Sequence, residues 1–278
     1  MFAPPPLRRG ARGCYTEPVT RTPHWSYGIE HLERPDVGRS YQLWTDPPAV
    51  YDPDHPEGYP LVLCLDAMWT FGTAVDACRI LGLGKELPRS IVAGIAHDHP
   101  DIREILQLRA MDFTVTASEA PAMTGVRAPA DQLGGANRFM EWIAEVVQPR
   151  LREQFNVSEM VFVGHSFSAL CGLHILFNRP ELFDRYLLAS PSVWWDDRVM
   201  FDLEPEYASR VERLDAKVFM SNGSLEIDEF SPHKEFFDQL ASRQHPGLDM
   251  TWHQFEGETH SSTVSVAVNR GLRVLFNS

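Results

Sequence analysis

Gly164-His165-Ser166-Phe167-Ser168 holds a serine between small residues two positions before it and two after. A serine hydroxyl is a weak nucleophile until a base takes its proton, and the base needs an acid to orient it. The chain offers both partners in the order serine, acid, histidine. His260 lies in Gly257-Glu258-Thr259-His260-Ser261-Ser262, after the strand-like stretch 250–255 and ahead of a last helical pattern. Among eleven histidines, only this one is expected in a loop between a late strand and the C-terminal helix. His165 reads as a packing residue of the turn, and His253 as part of a strand. The acid is expected after Lys217-Val218-Phe219-Met220, in the loop 221–228. Glu226 is favoured there, Asp228 is the alternative and Glu229 is a third choice. These three residue types carry out acyl transfer through a covalent serine intermediate. The tetrahedral species on that path needs two backbone donors. The expected donors are the N–H of Phe167 and that of Met68, the latter in the turn Asp66-Ala67-Met68-Trp69.

A Gly-X-Ser-X-Ser match alone is cheap, and a serine before a helix can be a mere N-cap. Its setting gives it weight. Met160-Val161-Phe162-Val163 precedes it, and a helical pattern over 167–178 follows. A nucleophile elbow requires that strand–turn–helix context. Four further apolar runs read as buried strands: Leu61–Leu65, Ile91–Ala96, Tyr186–Ala189 and Val218–Met220. Segments 24–32 and 40–45 look like the first strands, with 46–59 a proline-rich loop. Apolar residues at three-to-four spacing predict helices over 70–82, 133–155, 167–178, 234–243 and 262–276. Strand and helix alternate, so the expected class is α/β, an α/β-hydrolase fold with a mostly parallel sheet covered on both faces. Residues 1–22 read as a flexible tail, 23–278 as a single domain, and 100–131 as a long functional loop.

The chain has 278 residues, 44% of them hydrophobic, and a formal net charge of −13. That length suffices for a full core. The acidic balance argues against a nucleic-acid partner or an anionic membrane surface, since both need a basic footprint. No secretory signal and no run of about 18 apolar residues is found, so a cytoplasmic protein is expected. Cys14, Cys64, Cys78 and Cys171 show no CxxC or zinc spacing and read as small buried thiols. His97 and His99 have no further ligands suggested, so no metal is expected.

Several pieces, in order, resemble the putative-esterase family of α/β-hydrolases, which includes trilactone siderophore esterases and esterase D. They are Leu63–Ala67, Arg109-Ala110-Met111-Asp112-Phe113-Thr114, Gly134-Gly135-Ala136, Gly164–Ser168, Ser190-Pro191-Ser192-Val193-Trp194-Trp195 and Gly257–Ser261. The resemblance spans about residues 24–276. It implies a serine hydrolase with no cofactor, and it supports Met68 as the second donor. It also places substrate contacts near Arg109 and Asp112. Trp69, Trp194 and Trp195 are further candidates for substrate binding, with one of the adjacent tryptophans expected in the pocket and the other buried. Arg103 is a candidate for an anionic group. Ala67 and Ser168 replace family glycines and are expected to narrow the space near the nucleophile.

The reading that follows is a serine carboxylic-ester hydrolase acting on a small-molecule ester, a siderophore or another secondary metabolite. Two others use the same scaffold: an acyltransferase or thioesterase with the same triad, and a catalytically silent binding protein.

Overall fold

The computed structural model describes residues 27–120, 124–227 and 231–277. Two antiparallel strands open it, β1 (Gly28–Arg34) and β2 (Arg39–Asp46). Alternation follows: β3 (Tyr59–Leu65), α1 (Ala67–Leu83), β4 (Ile91–His97) and α2 (Ile102–Phe113). Next come α3 (Ala136–Trp142), a π turn (Ile143–Val147) and α4 (Gln148–Gln154). The second half runs β5 (Val157–His165), α5 (Phe167–Asn178), β6 (Arg185–Ala189), α6 (Trp195–Ala208), β7 (Ala216–Gly223), α7 (His233–Ser242), β8 (Leu248–Phe255) and α8 (Thr263–Phe276).

These strands form one eight-stranded sheet in the order β1-β2-β4-β3-β5-β6-β7-β8. β2 runs antiparallel to β4, and every pair from β4 to β8 is parallel. All seven residues of β3 are buried. Leu61, Leu63 and Leu65 enter one core cluster, Val62 and Cys64 the other. The period-two alternation of a strand therefore feeds two hydrophobic layers, one on each face. α1 and α8 cover one layer, while α2, α3 and α5 contribute to the other. This is the α/β arrangement read from the sequence. Cys64, Cys78 and Cys171 are buried free thiols, as expected. No helix among the described residues is long and apolar enough to cross a membrane.

Two expectations are corrected, and one helix is added. The stretch 100–131 is not one loop, because it contains α2. Its Asp101 side chain caps the helix by accepting the Arg103 N–H at 2.9 Å. The helix expected over 133–155 starts at Ala136 and passes through the π turn. Pro149, which has no N–H to give, follows that turn and forces the ladder out of register. α6 was not expected at all. The tail 1–22 and Cys14 lie outside the described residues.

Candidate active site

In a parallel sheet, the loops that leave the carboxyl ends of the strands gather on one edge. Here those loops carry Asp66 after β3, Ser166 after β5, Ser190 and Ser192 after β6, Glu226 after β7 and His260 after β8.

β5 ends at His165 and α5 starts at Phe167, so Ser166 alone makes the turn. It sits at φ 62°, ψ −122°. That backbone is strained for any side chain and persists only where the surroundings enforce it. The Ser166 N–H donates to Ala189 O at 3.0 Å, which ties the turn to β6. A Cβ at Gly164 would lie 2.7 Å from the Ser168 carbonyl carbon, so the crossing of strand and helix leaves no room there. Ser168 was expected to crowd the nucleophile. Its hydroxyl is instead folded back, donating to His165 O at 2.8 Å and accepting the His165 N–H at 2.9 Å. Ala67 likewise points away, against Gly94 in β4. Neither departure from glycine narrows the space above Ser166. The Phe167 N–H is first in its helix and has no intrahelical acceptor.

His260 Nδ1 donates to Glu226 Oε2 at 2.8 Å. The other carboxylate oxygen, Oε1, accepts the Gly223 N–H at 2.7 Å and the Ser190 hydroxyl at 2.6 Å. Burial by itself would raise the Glu226 pKa. The hydrogen bonds from His260, Gly223 and Ser190 outweigh it and hold the acid down at about 2. The His260 backbone is gripped too. Its carbonyl accepts from His165 Nε2 at 2.8 Å and from the Thr263 hydroxyl at 2.9 Å. The His165 ring lies 4.5 Å from the His260 ring, centroid to centroid. Burial, with His260 adding to it, lowers the His165 pKa to about 3, so that ring is neutral. Asp228, the alternative acid, and Glu229 lie outside the described residues.

The β3–α1 turn is built on Asp66, at φ 54°, ψ 47°. Its carbonyl accepts the N–H groups of Trp69 and Thr70, so Met68 stands in the first turn ahead of those bonds. Arg109 reaches Asp66 with two hydrogen bonds, Nε to Oδ1 at 2.9 Å and Nη2 to Oδ2 at 2.6 Å. Both side chains are buried, and the guanidinium lies 5.4 to 5.9 Å from the ring centroids of Trp69, Phe113 and Phe167.

The structure thus brings Glu226 and His260 together, and links Ser166 to the His260 loop through His165. Arg109 and Asp112 lie on α2, not on a loop, and they are not partners of each other. Asp112 is bound by Arg34, Arg39, Tyr41 and His97. Trp195 is fully buried, with Nε1 donating to Thr116 Oγ1 at 3.1 Å. Trp194 is half-buried, its ring 5.8 Å from that of Phe167. Trp69 and Met68 are exposed at 40% and 43%. Arg103 is exposed and paired with Asp101. Sequence reasoning gave no role to Ser190, Ser192, Thr263 or Asp66. The first two stood in a Ser-Pro-Ser turn after a buried strand, which was the readable signal.

The mostly parallel sheet and the strand–serine–helix turn define an α/β-hydrolase. The family model described as "Putative esterase" matches residues 37–249. The chain belongs to that family and is an ester-bond hydrolase. It is 27% identical to ferri-bacillibactin esterase BesA of Bacillus subtilis, over 95% of this chain and 92% of BesA. It is also 27% identical to the siderophore triacetylfusarinine C esterase of Aspergillus fumigatus, over 78% of this chain and 81% of that enzyme. Among solved structures, the BES protein from Bacillus cereus superposes with a TM-score of 0.80 at 25% identity, covering 94% of this chain and 99% of that one. The chain therefore resembles siderophore esterases.

Proposed function

We propose that the chain is a serine carboxylic-ester hydrolase that works through an acyl-enzyme on Ser166. His260 takes the Ser166 proton while the hydroxyl oxygen attacks the ester carbonyl. Glu226 holds the His260 tautomer with Nε2 free to accept, and it stabilises the imidazolium that forms. The N–H groups of Phe167 and Met68 carry the oxyanion. His260 returns its proton to the leaving alcohol, then activates water to release the acid. The observation that carries this reading is the 2.8 Å bond between His260 Nδ1 and Glu226 Oε2, on the same sheet edge as the strained Ser166 turn. The carboxylate held near pKa 2 stays ionised at every working pH, as an orienting acid must.

The substrate proposed is a small-molecule ester of the siderophore type, by similarity to the two relatives whose names specify such esters. A panel of short aryl esters, macrolactones and metal-bound siderophore esters tests this. Highest kcat/KM on a siderophore ester is expected. Turnover confined to simple aryl esters would reject the substrate class and leave the chemistry standing.

A further inference from the structure

The Ser190-Pro191-Ser192 turn leaves β6 between the strand that delivers Ser166 and the strand that delivers Glu226. It bonds to both. On the acid side, the Ser190 hydroxyl donates to Glu226, and its N–H donates to Ser221 O at 2.7 Å. On the nucleophile side, the Ser192 N–H donates to Ser166 O at 3.2 Å, and Ser192 Oγ lies 3.3 Å from Ser166 Oγ. Ser192 is fully buried. Among the described residues, Ser166 Oγ is the only hydrogen-bond partner of that hydroxyl. If Ser166 were the donor, the Ser192 proton would be buried without an acceptor, which costs free energy. Donation from Ser192 satisfies it and leaves the Ser166 proton to another acceptor.

We propose that Ser192 is a catalytic residue whose hydroxyl donates to Ser166 Oγ and assists deacylation. The inference rests on the Ser166 mechanism above and extends it. In the free enzyme the Ser192 bond is already made, so it adds little to the barrier for attack. In the acyl-enzyme, Ser166 Oγ is an ester oxygen and a poor acceptor. When water adds to the acyl carbon, it gives a proton to His260. The bond from the acyl carbon to Oγ then breaks, its electron pair returns to Oγ, and His260 supplies the proton. Charge builds on Oγ in that step, where a buried donor is already aimed. A bond that is stronger in the transition state than in the state before it accelerates the step.

The test separates the two half-reactions in Ser192→Ala and Ser192→Cys. Pre-steady-state release of nitrophenolate from a nitrophenyl ester reports acylation. Steady-state turnover and the acyl-enzyme population, read by intact mass, report deacylation. Ser192→Ala is expected to acylate, and to react with a fluorophosphonate probe, within about threefold of the parent rate, while deacylation falls about tenfold, which is about 1.4 kcal/mol, the scale of one hydrogen bond. Acyl-enzyme then accumulates, and Ser192→Cys, a weaker donor of similar shape, falls between. Equal loss in both half-reactions, or no change in either, overturns the proposal. Should the alanine variant not fold, the cysteine variant carries the same comparison. Failure of the underlying mechanism looks different: the parent itself forms no acyl-enzyme, or Ser166→Ala still does.

Discussion

Arg109, on α2, clamps Asp66, on the β3–α1 turn, through two parallel hydrogen bonds of 2.9 and 2.6 Å. The pair is buried, and Asp66 is in a left-handed conformation that costs energy for a non-glycine residue. The clamp fixes the turn that carries Met68, the second oxyanion donor proposed above. Arg109→Ala leaves the Asp66 carboxylate buried and unpaired, which destabilises by about 3 to 5 kcal/mol. Denaturant unfolding is expected to show that loss. Arg109→Lys keeps the charge and loses the second hydrogen bond. Its kcat is expected to fall about tenfold or more with little change in KM, since losing one oxyanion donor outright costs about 100- to 1000-fold. A rise in KM at constant kcat would instead make Arg109 a substrate contact.

Ser168 satisfies both the N–H and the carbonyl of His165. Ser168→Gly restores the commoner elbow pattern yet removes those bonds. The expected outcome is a loss of about 1 to 3 kcal/mol in stability, since two hydrogen bonds of about 1 kcal/mol each that brace the turn are removed. Activity per folded molecule is expected to hold, because the hydroxyl faces away from Ser166. A Tm equal to the parent's would contradict the account.

Burial lowers the pKa of His165 to about 3, and those of His174 and His233 to about 4, against an ordinary 6.5. Folded, these rings are neutral down to those values, whereas unfolded they protonate near 6.5. The unfolded chain therefore binds more protons across that window, and stability falls as pH drops from about 6.5 to about 4, by at most about 1.4 kcal/mol per pH unit per ring. Glu226 adds a second loss lower down, from its ordinary 4.5 to about 2. Urea midpoints measured from pH 7.5 to 4 test the histidine part. His233→Asn is expected to flatten the slope, and an unchanged slope would remove His233 from the account.

Glu226→Gln keeps the shape of the acid and reverses what its amide can offer His260 Nδ1. The wrong tautomer follows, and kcat is expected to fall by about 10⁴ with the fold intact. Full activity in this variant would move the acid role to another residue, Asp228 first.

The parallel strands were legible because their apolar runs are short, are bounded by turn residues and alternate with helical patterns. The elbow and His260 were legible because their meaning lies in context, a strand before and a helix after. α2 was not. Its inward residues, Ile105, Arg109, Ala110, Asp112 and Phe113, follow helical spacing, but two are charged. Hydrophobic periodicity fails where the buried face carries ions paired inside the protein. The Asp101 cap was the missed signal. The contacts of Ser190 and Ser192 depend on which strand ends are neighbours, and that order, β5-β6-β7, is a property of the folded sheet.

Covalent capture tests the central claim most directly. The intact protein is treated with a fluorophosphonate probe and the modified residue is located by peptide mass spectrometry. One adduct per chain, on Ser166, lost in Ser166→Ala and strongly slowed in His260→Ala, is the predicted result. No adduct on the folded protein, or an adduct that persists in Ser166→Ala, would contradict the account.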